Sequence, residues 1–362
     1  MDVRIVKPRK GRGAASNDSG RYEPERRLAF DDGWGTVDEE PPRLETEVTA
    51  ERSRSIISQN DSPDVPFDRS INPYKGCEHG CVYCFARPTH AYLGLSPGLD
   101  FESRIVHKPD GPELLRRTFD HPRYQPQLIA VGANTDPYQP VERKLGLTRR
   151  LLEVFRDYRH PVGIITKSNL VLRDLDLLAD LAGDRLAHVF VSVTTLDRAL
   201  ARRMEPRAPT PARRLDAVCA LADAGVPVGV LVSPVVPGLT DHELERILEA
   251  AAKAGAGAAS YLVLRLPMEI KDLFDEWLDA HYPDRKKRVM DLIRGMRGGA
   301  LYDARFGVRM RGTGPHADMI ARRYGLAARR LGLDGGLPPL DSGRFTRPPK
   351  PEPQLCLFPS EE

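Results

Sequence analysis

An α/β fold around a parallel sheet is predicted by three observations. Between about residues 69 and 266, short apolar runs alternate with segments of helical period. The runs are continuous rather than alternating with polar residues, which suits strands covered on both faces. No G-x-G-x-x-G follows any of them, which sets aside a dinucleotide-binding sheet.

Residues 1–61 are rich in Arg, Asp, Glu, Gly and Ser, with Pro41 and Pro42 and little apolar period, and read as a mostly disordered lead-in; within it, residues 44–57 are a candidate ordered arm. The first strand is residues 69–74, leading into a cysteine-rich loop. A helical turn at 89–93 and an extended piece at 104–108 follow, then a helix at 112–119 with Pro at its start. Residues 127–133 form the second strand. Residues 147–159 place Leu147, Leu151, Leu152 and Phe155 on one helical face. Strands at 162–166, 188–194, 226–232 and 259–266 then alternate with helices at 172–181, 211–224 and 241–254. Gly225 closes the second of these helices and Thr240 is the N-cap of the third. Six strands in βα alternation imply right-handed crossovers. Beyond 266 the alternation gives way to helices at 268–280, 283–297 and 316–330. A proline-rich tail from Gly335 carries an apolar patch, residues 355–358, suited to docking back.

A chain of 362 residues, 41% hydrophobic, suits about two domains or one large barrel with appendages. No apolar run nears the ~20 residues of a membrane span, and no apolar segment follows the basic start, so a soluble, cytoplasmic protein is expected. Five cysteines, three of them crowded together, argue for a reducing compartment. The net charge of +3 hides an asymmetry: residues 281–330 hold thirteen Arg or Lys against four Asp. That stripe, interleaved with Tyr282, Tyr302, Phe306 and Tyr324, has the footprint of a nucleic-acid partner; a charged helical cap over the barrel is the plainer alternative.

The crowded thiols sit in I-N-P-Y-K-G-C-E-H-G-C-V-Y-C-F-A-R, as Cys77, Cys81 and Cys84, with Gly76 and Gly80 letting the backbone curl their sulfurs inward onto a soft metal. A zinc site wants four ligands, commonly two separated pairs, and no second C-x-x-C exists; His79 would be a fourth ligand from inside the loop. An iron–sulfur cluster would take a distant fourth cysteine, Cys219 or Cys356, or keep one iron open. Cys219, within an apolar helix pattern, reads as a buried structural thiol, and Cys356 as a poor ligand.

This C-x-x-x-C-x-x-C loop, with aromatic Tyr83 before its last cysteine and a strand before it, resembles the radical S-adenosylmethionine (radical SAM) enzymes. The resemblance implies an open, partial (β/α)6 TIM-type barrel at 61–266, between a 1–60 extension and a basic helical cap at 267–333 followed by the 334–362 tail. It implies that Cys77, Cys81 and Cys84 hold a [4Fe-4S] cluster whose fourth iron binds S-adenosylmethionine. The reduced cluster then yields a 5′-deoxyadenosyl radical that abstracts a hydrogen atom, which requires a one-electron reductant such as flavodoxin or ferredoxin. The strand-two loop corresponds to the segment that contacts the SAM amino group, making Asn134, Thr135, Asp136 and Glu142 candidates for an ammonium or ribose. Ser192 and Thr194 end strand four. In M-E-P-R-A-P, Glu205 stands near the cofactor, and Arg213 or Arg214 pairs with the SAM carboxylate. The alternatives are a rigid turn, satisfied strand ends and an ordinary charged helix start.

Within the superfamily, N-P-Y-K-G-C-x-x-x-C-x-Y-C, T-D-P-Y-Q-P-x-E and E-P-R-A-P resemble the spore photoproduct lyase-like, or DNA repair photolyase-like, group. One departure is that no cysteine lies between Phe85 and Val218, where the lyase carries its hydrogen donor, which argues against thymine-dimer repair by that route. Tyr92 and Tyr138 are candidate relays in its place. Two other functions fit the same residues: a nucleic-acid-binding protein with a structural cluster, and radical modification of a peptide or small metabolite.

Overall fold

The computed structural model describes residues 8–25 and 44–349. The elements in chain order are β1 (Glu47–Ala50), β2 (Ile57–Gln59), β3 (Arg69–Ile71), β4 (Tyr74–Lys75), α1 (Asp100–Ser103), β5 (Arg104–His107), α2 (Gly111–Asp120), β6 (Ile129–Val131), α3 (Glu142–Leu145), α4 (Leu147–Asp157), β7 (Val162–Thr166), α5 (Leu175–Gly183), β8 (Ala187–Ser192), α6 (Arg198–Met204), α7 (Pro211–Asp223), β9 (Val228–Val235), α8 (Leu244–Lys253), β10 (Ala258–Val263), α9 (Ile270–His281), α10 (Pro283–Gly295) and α11 (Pro315–Arg330).

The main sheet runs β10-β9-β8-β7-β6-β3-β2, parallel throughout except for β2, which pairs antiparallel with β3. Each successive parallel strand pairs with its predecessor, as helical crossovers between neighbours require. The register aligns Ile71, Val131, Ile164, Val189 and Val228 in one row across the sheet, all at most 2% exposed. Continuous β-branched runs produce such a row because helices cover the outer face and the barrel interior covers the other. The six parallel strands are the partial barrel expected; β2 extends its edge.

Short elements modify the expected outline. A second sheet, β1-β5-β4, lies beside the barrel. The helix expected from 172 begins at Leu175, after a 3-10 turn over Asn169–Asp174 whose N-cap is Ser168. Thr240 caps no helix through its side chain: its hydroxyl accepts from Val236 N–H, and α8 starts at Leu244.

The sheet edges are joined by polar contacts. Asp64, in the loop between β2 and β3, accepts from Gly307 N–H at 2.6 Å and from the Arg309 guanidinium, beyond β10. Helices α9 and α10 pack together, and Phe274, Trp277, Val289 and Ile293 cover Val82 and Tyr83 of the cysteine loop. Helix α11 lies elsewhere, along the barrel wall: it packs on α8, with Arg323 paired to Glu245 and Tyr324 O–H donating to the Ala259 carbonyl. The chain then crosses the amino ends of the strands. Leu333 C=O accepts from Ala259 N–H, Asp341 N–H donates to Arg185 C=O, and Phe345 enters the cluster of Phe119, Tyr124, Tyr158 and His160. The apolar patch at 355–358 and Cys356 lie outside the described residues.

Candidate active site around the cysteine loop

The loop from Cys77 to Cys84 follows β4, at the carboxyl end of the first parallel strand, where barrels gather their chemistry. Gly76 and Gly80 take positive φ, 79° and 67°, so the chain can reverse twice in five residues. Cys77 and Cys81 are 7% exposed, Cys84 is half-buried, and all three are free thiols.

Backbone and side chains outside the loop fix its path. Cys77 N–H donates to Phe101 C=O at 2.9 Å, and Val82 N–H to Met204 C=O at 3.0 Å. The Gln139 side chain clasps it from β6's loop, accepting from Glu78 N–H at 2.8 Å and donating to Gly76 C=O at 3.2 Å. Arg87, wholly buried, donates to the carbonyls of Cys81, Gly80, Pro97 and Gly98 and pairs with Glu102. His79 turns to Asp136, Nδ1 to Oδ2 at 3.3 Å. Burial alone would raise the Asp136 carboxyl, but His79 and the Lys167 N–H hold it down to about 2. His79 thus belongs to a pair with Asp136.

On the facing strand ends, Tyr83 O–H donates to Glu205, which also accepts from Arg214 and, at 2.8 Å, from Thr194 Oγ1. All four side chains are buried. Arg214 also donates to the carbonyls of Pro209 and Ser192. Burial opposes ionisation of Glu205, yet Arg214 and Lys167 keep its carboxyl at about 2. Lys167 Nζ stands 5.9 Å from the centre of the Tyr83 ring and forms no ion pair among the described residues. Arg265, after β10, lays its guanidinium over Phe85 at 4.3 Å. Burial, then the neighbouring Arg309 and Arg297, pull Arg265 below the usual guanidinium range.

The structure brings together some sequence-derived candidates and separates others. Tyr83, Thr194, Glu205 and Arg214 form the network above, with Ser192 at its side. Arg213 is exposed on the outside of α7, so the two arginines are not interchangeable. Thr135 is buried, donating to Tyr74 C=O, and Asn134 N–H is held by Asn72 Oδ1. Glu142 is fully enclosed by Tyr74, Arg173 and the N–H groups of Leu147 and Thr148, and so braces α4. Tyr138 points its hydroxyl at Asp174 at 3.1 Å, while Tyr92, 68% exposed, stacks on Tyr22 outside. Cys219 is exposed on α7, its sulfur 3.5 Å from Asp223 Oδ2, and is no buried core thiol. Glu102 and Lys167 lie outside every motif, and Arg87 and Gln139, though inside the motif stretches, are not among the sequence-derived candidates; their only signal is adjacency to the cysteine loop or a strand end.

The donor set fits an iron–sulfur cluster. Three thiols share one enclosed loop and burial raises each of them; Lys167 favours the thiolates of Cys81 and Cys84, and Arg265 that of Cys84. Among the described residues no three Cys, His, Asp or Glu side chains come close enough to hold a single metal ion. A cluster makes no such demand, since each of its cysteines binds a different iron.

Seven of the thirteen basic residues of 281–330 are paired among the described residues. Lys286 pairs with Asp275 and Asp279, Lys287 and Arg294 with Asp291, Arg305 with Asp303, Arg309 with Asp64, and Arg323 and Arg330 with Glu245 and Glu249 of α8. Arg285, Arg288 and Arg322 are exposed and form no ion pair among the described residues. No helix in the described residues is long and apolar enough to cross a membrane.

Residues 71–251 match the Radical SAM superfamily. An uncharacterized protein of Mycobacterium tuberculosis is 37% identical over 232 residues, 64% of this chain and 68% of that protein. One from Methanocaldococcus jannaschii is 31% identical over 173 residues, 48% of this chain and 62% of that one. Among solved structures, spore photoproduct lyase complexed with dinucleoside spore photoproduct superposes with a TM-score of 0.58 at 15% identity, covering 79% of this chain and 81% of that one. A mutant of the lyase, with bound AdoMet and dinucleoside spore photoproduct, gives 0.54 at 17%, covering 78% of each. At that identity the likeness speaks to the fold. By residues 71–251, this chain belongs to the radical SAM superfamily, whose cofactors are a [4Fe-4S] cluster and S-adenosylmethionine.

Proposed function

We propose that Cys77, Cys81 and Cys84 hold the cluster and that the chain acts at the barrel mouth on a substrate bearing an anionic group, nucleic acid being the first class to test. The observation that carries the chemistry is the enclosed three-thiol loop at the carboxyl end of the first parallel strand. When bound, cluster and S-adenosylmethionine supply a 5′-deoxyadenosyl radical, which removes a hydrogen atom from the substrate.

The chain's own residues position and shield. Arg87 and Gln139 hold the loop backbone from outside. Arg214 is enclosed by Glu205 and two carbonyls, so it orients Glu205, and Glu205 orients Tyr83. Lys167, without an ion-pair partner among the described residues, is the ammonium group available to a cofactor carboxylate. Asn134, after β6, and Ser192, at the end of β8, suit its amino group and ribose. Trp277 and Phe274 close an apolar lid behind Tyr83, which protects a radical from solvent. Arg265, stacked on Phe85 next to Cys84, offers its guanidinium to an anionic substrate. This reading requires a one-electron reductant such as flavodoxin or ferredoxin, and fits a cytoplasmic setting.

The test is anaerobic reconstitution with iron and sulfide, then dithionite and S-adenosylmethionine, with 5′-deoxyadenosine measured by chromatography. Product from wild type and none from Cys81→Ala is expected. A loaded, reducible cluster that makes no product and whose spectrum ignores S-adenosylmethionine would instead support a structural cluster in a binding protein. For the substrate class, a fluorescent oligonucleotide is titrated at several salt concentrations. Salt-dependent binding that Arg265→Gln weakens is expected, and none would point to a peptide or small metabolite.

A further inference from the structure

Resting on the reading that Cys77, Cys81 and Cys84 hold the cluster, we infer that residues 12–20 are a strap that seals the cysteine loop, with Gly13 and Glu102 as its positioning residues. This stretch has no apolar period; backbone N–H groups tie it to Glu102, and the Arg12, Asn17 and Ser16 side chains add contacts to Glu102 C=O, Asp100 and Glu276. Gly13 and Ala14 N–H donate to opposite oxygens of the Glu102 carboxylate at 2.9 and 2.8 Å. Glu102 is 0% exposed and pairs with Arg87, which itself grips the carbonyls of Gly80 and Cys81. Strap, carboxylate, guanidinium and loop thus form one continuous connection.

The contact is also steric. A Cβ on Gly13 would stand 1.8 Å from the Gly80 carbonyl oxygen and 3.3 Å from Val82 N, so the strap backbone lies directly on the loop backbone on either side of Cys81. Only glycine permits that approach. Further along, Leu99 N–H donates to Ser16 C=O at 3.2 Å, Ser16 Oγ donates to Glu276 of α9 at 2.6 Å, and Arg21 pairs with Glu269 at 2.7 Å. The strap therefore spans from the loop to the cap helices and leaves Cys77 and Cys81 at 7% exposure. Its role is to keep water and oxidants from the ligand sulfurs.

Two full-length variants test this. Gly13→Val forces the strap off the loop; Glu102→Gln puts an amide N–H₂ where one acceptor oxygen stood and leaves the steric fit alone. Each is compared with wild type for circular dichroism, for maleimide alkylation of apo protein mapped by mass spectrometry, and for cluster absorbance after mixing with air-saturated buffer. In folded variants, Cys77 and Cys81 are expected to alkylate roughly tenfold faster or more, because the rate follows the open population. Exposed Cys219 reacts unchanged as the internal reference. Loaded variants are expected to bleach faster in air. Unchanged alkylation and bleaching in either folded variant would overturn the strap. If Gly13→Val fails to fold, Glu102→Gln decides. Wild type that binds no iron would refute the cluster reading separately, and the alkylation rates would still judge the strap.

Discussion

Arg214→Met gives the sharpest test of how the site is built. Glu205 and Arg214 are each 1% exposed and paired. Without its guanidinium, Glu205 is a buried carboxylate left to Tyr83 and Thr194, and the carbonyls of Pro209 and Ser192 lose a donor. Breaking a buried pair from one side costs about 3–5 kcal/mol, and protonation of Glu205 would limit the loss to about 3. In Arg214→Met/Glu205→Gln no charge is stranded and Tyr83 keeps an acceptor, so about 2 kcal/mol should return relative to Arg214→Met alone. The assay is urea unfolding of apo protein followed by tryptophan fluorescence, with Trp277 beside the network. The pH dependence carries its own sign. A carboxyl lowered to about 2 stabilises the fold above its unfolded value near 4.5, and that contribution fades as pH falls from there through 2. Arg214→Met should therefore lose less stability across that window than wild type. Strict additivity of the two single substitutions would refute the description of Arg214 as serving Glu205.

Other outcomes follow from the same geometry. Lys167→Ala is expected to raise the S-adenosylmethionine concentration needed for half-maximal 5′-deoxyadenosine formation about tenfold while leaving iron content unchanged; lost iron would make it a loop residue instead. Gln139→Ala, which leaves Glu78 N–H and Gly76 C=O buried without that partner, should lower iron retained after desalting and cost about 1–3 kcal/mol in urea unfolding of the apo protein. His160 stacks on Phe119 at 4.3 Å, and burial lowers it to about 3, so stability should decline as pH falls from about 6.5 toward 3. Equilibrium unfolding of His160→Gln should show a flatter profile there; an unchanged slope would contradict this. Trp277→Ala, emptying the lid, should cost about 3–5 kcal/mol by the same unfolding assay.

The parallel strands were legible because burial on both faces demands unbroken aliphatic runs: residues 162–166 read as a strand and are one. The extended piece expected at 104–108 is β5; β1 and β4 were less legible, since strands of four and two residues, with every β1 position exposed, carry no pattern. The strap was illegible for a related reason, its hold being N–H to carboxylate and glycine to carbonyl, which residue type does not announce. In the site, cysteine spacing disclosed the loop, and E-P-R-A-P disclosed Glu205 with the arginines after it. Their roles depended on orientation: a single residue step along α7, about 100° around its axis, separates exposed Arg213 from enclosed Arg214. The charge stripe was legible as a count but its pairing was not, because Glu245 and Glu249, the partners of Arg323 and Arg330, lie in another helix across the fold.

The path of residues 333–347 has a practical consequence. By touching Ala259 of β10, Arg185 just before β8, Tyr158 at the end of α4 and Phe119 at the end of α2 in turn, it stitches the floor of a sheet that never closes on itself, on the side away from the cysteines. Tethering the protein by residues beyond this belt would orient the mouth toward solution, so a partner could be captured on a surface with access to the site unobstructed. Cutting the chain before residue 333 would instead uncover His160 and its aromatic neighbours, turning a seam of the barrel into an adhesive face.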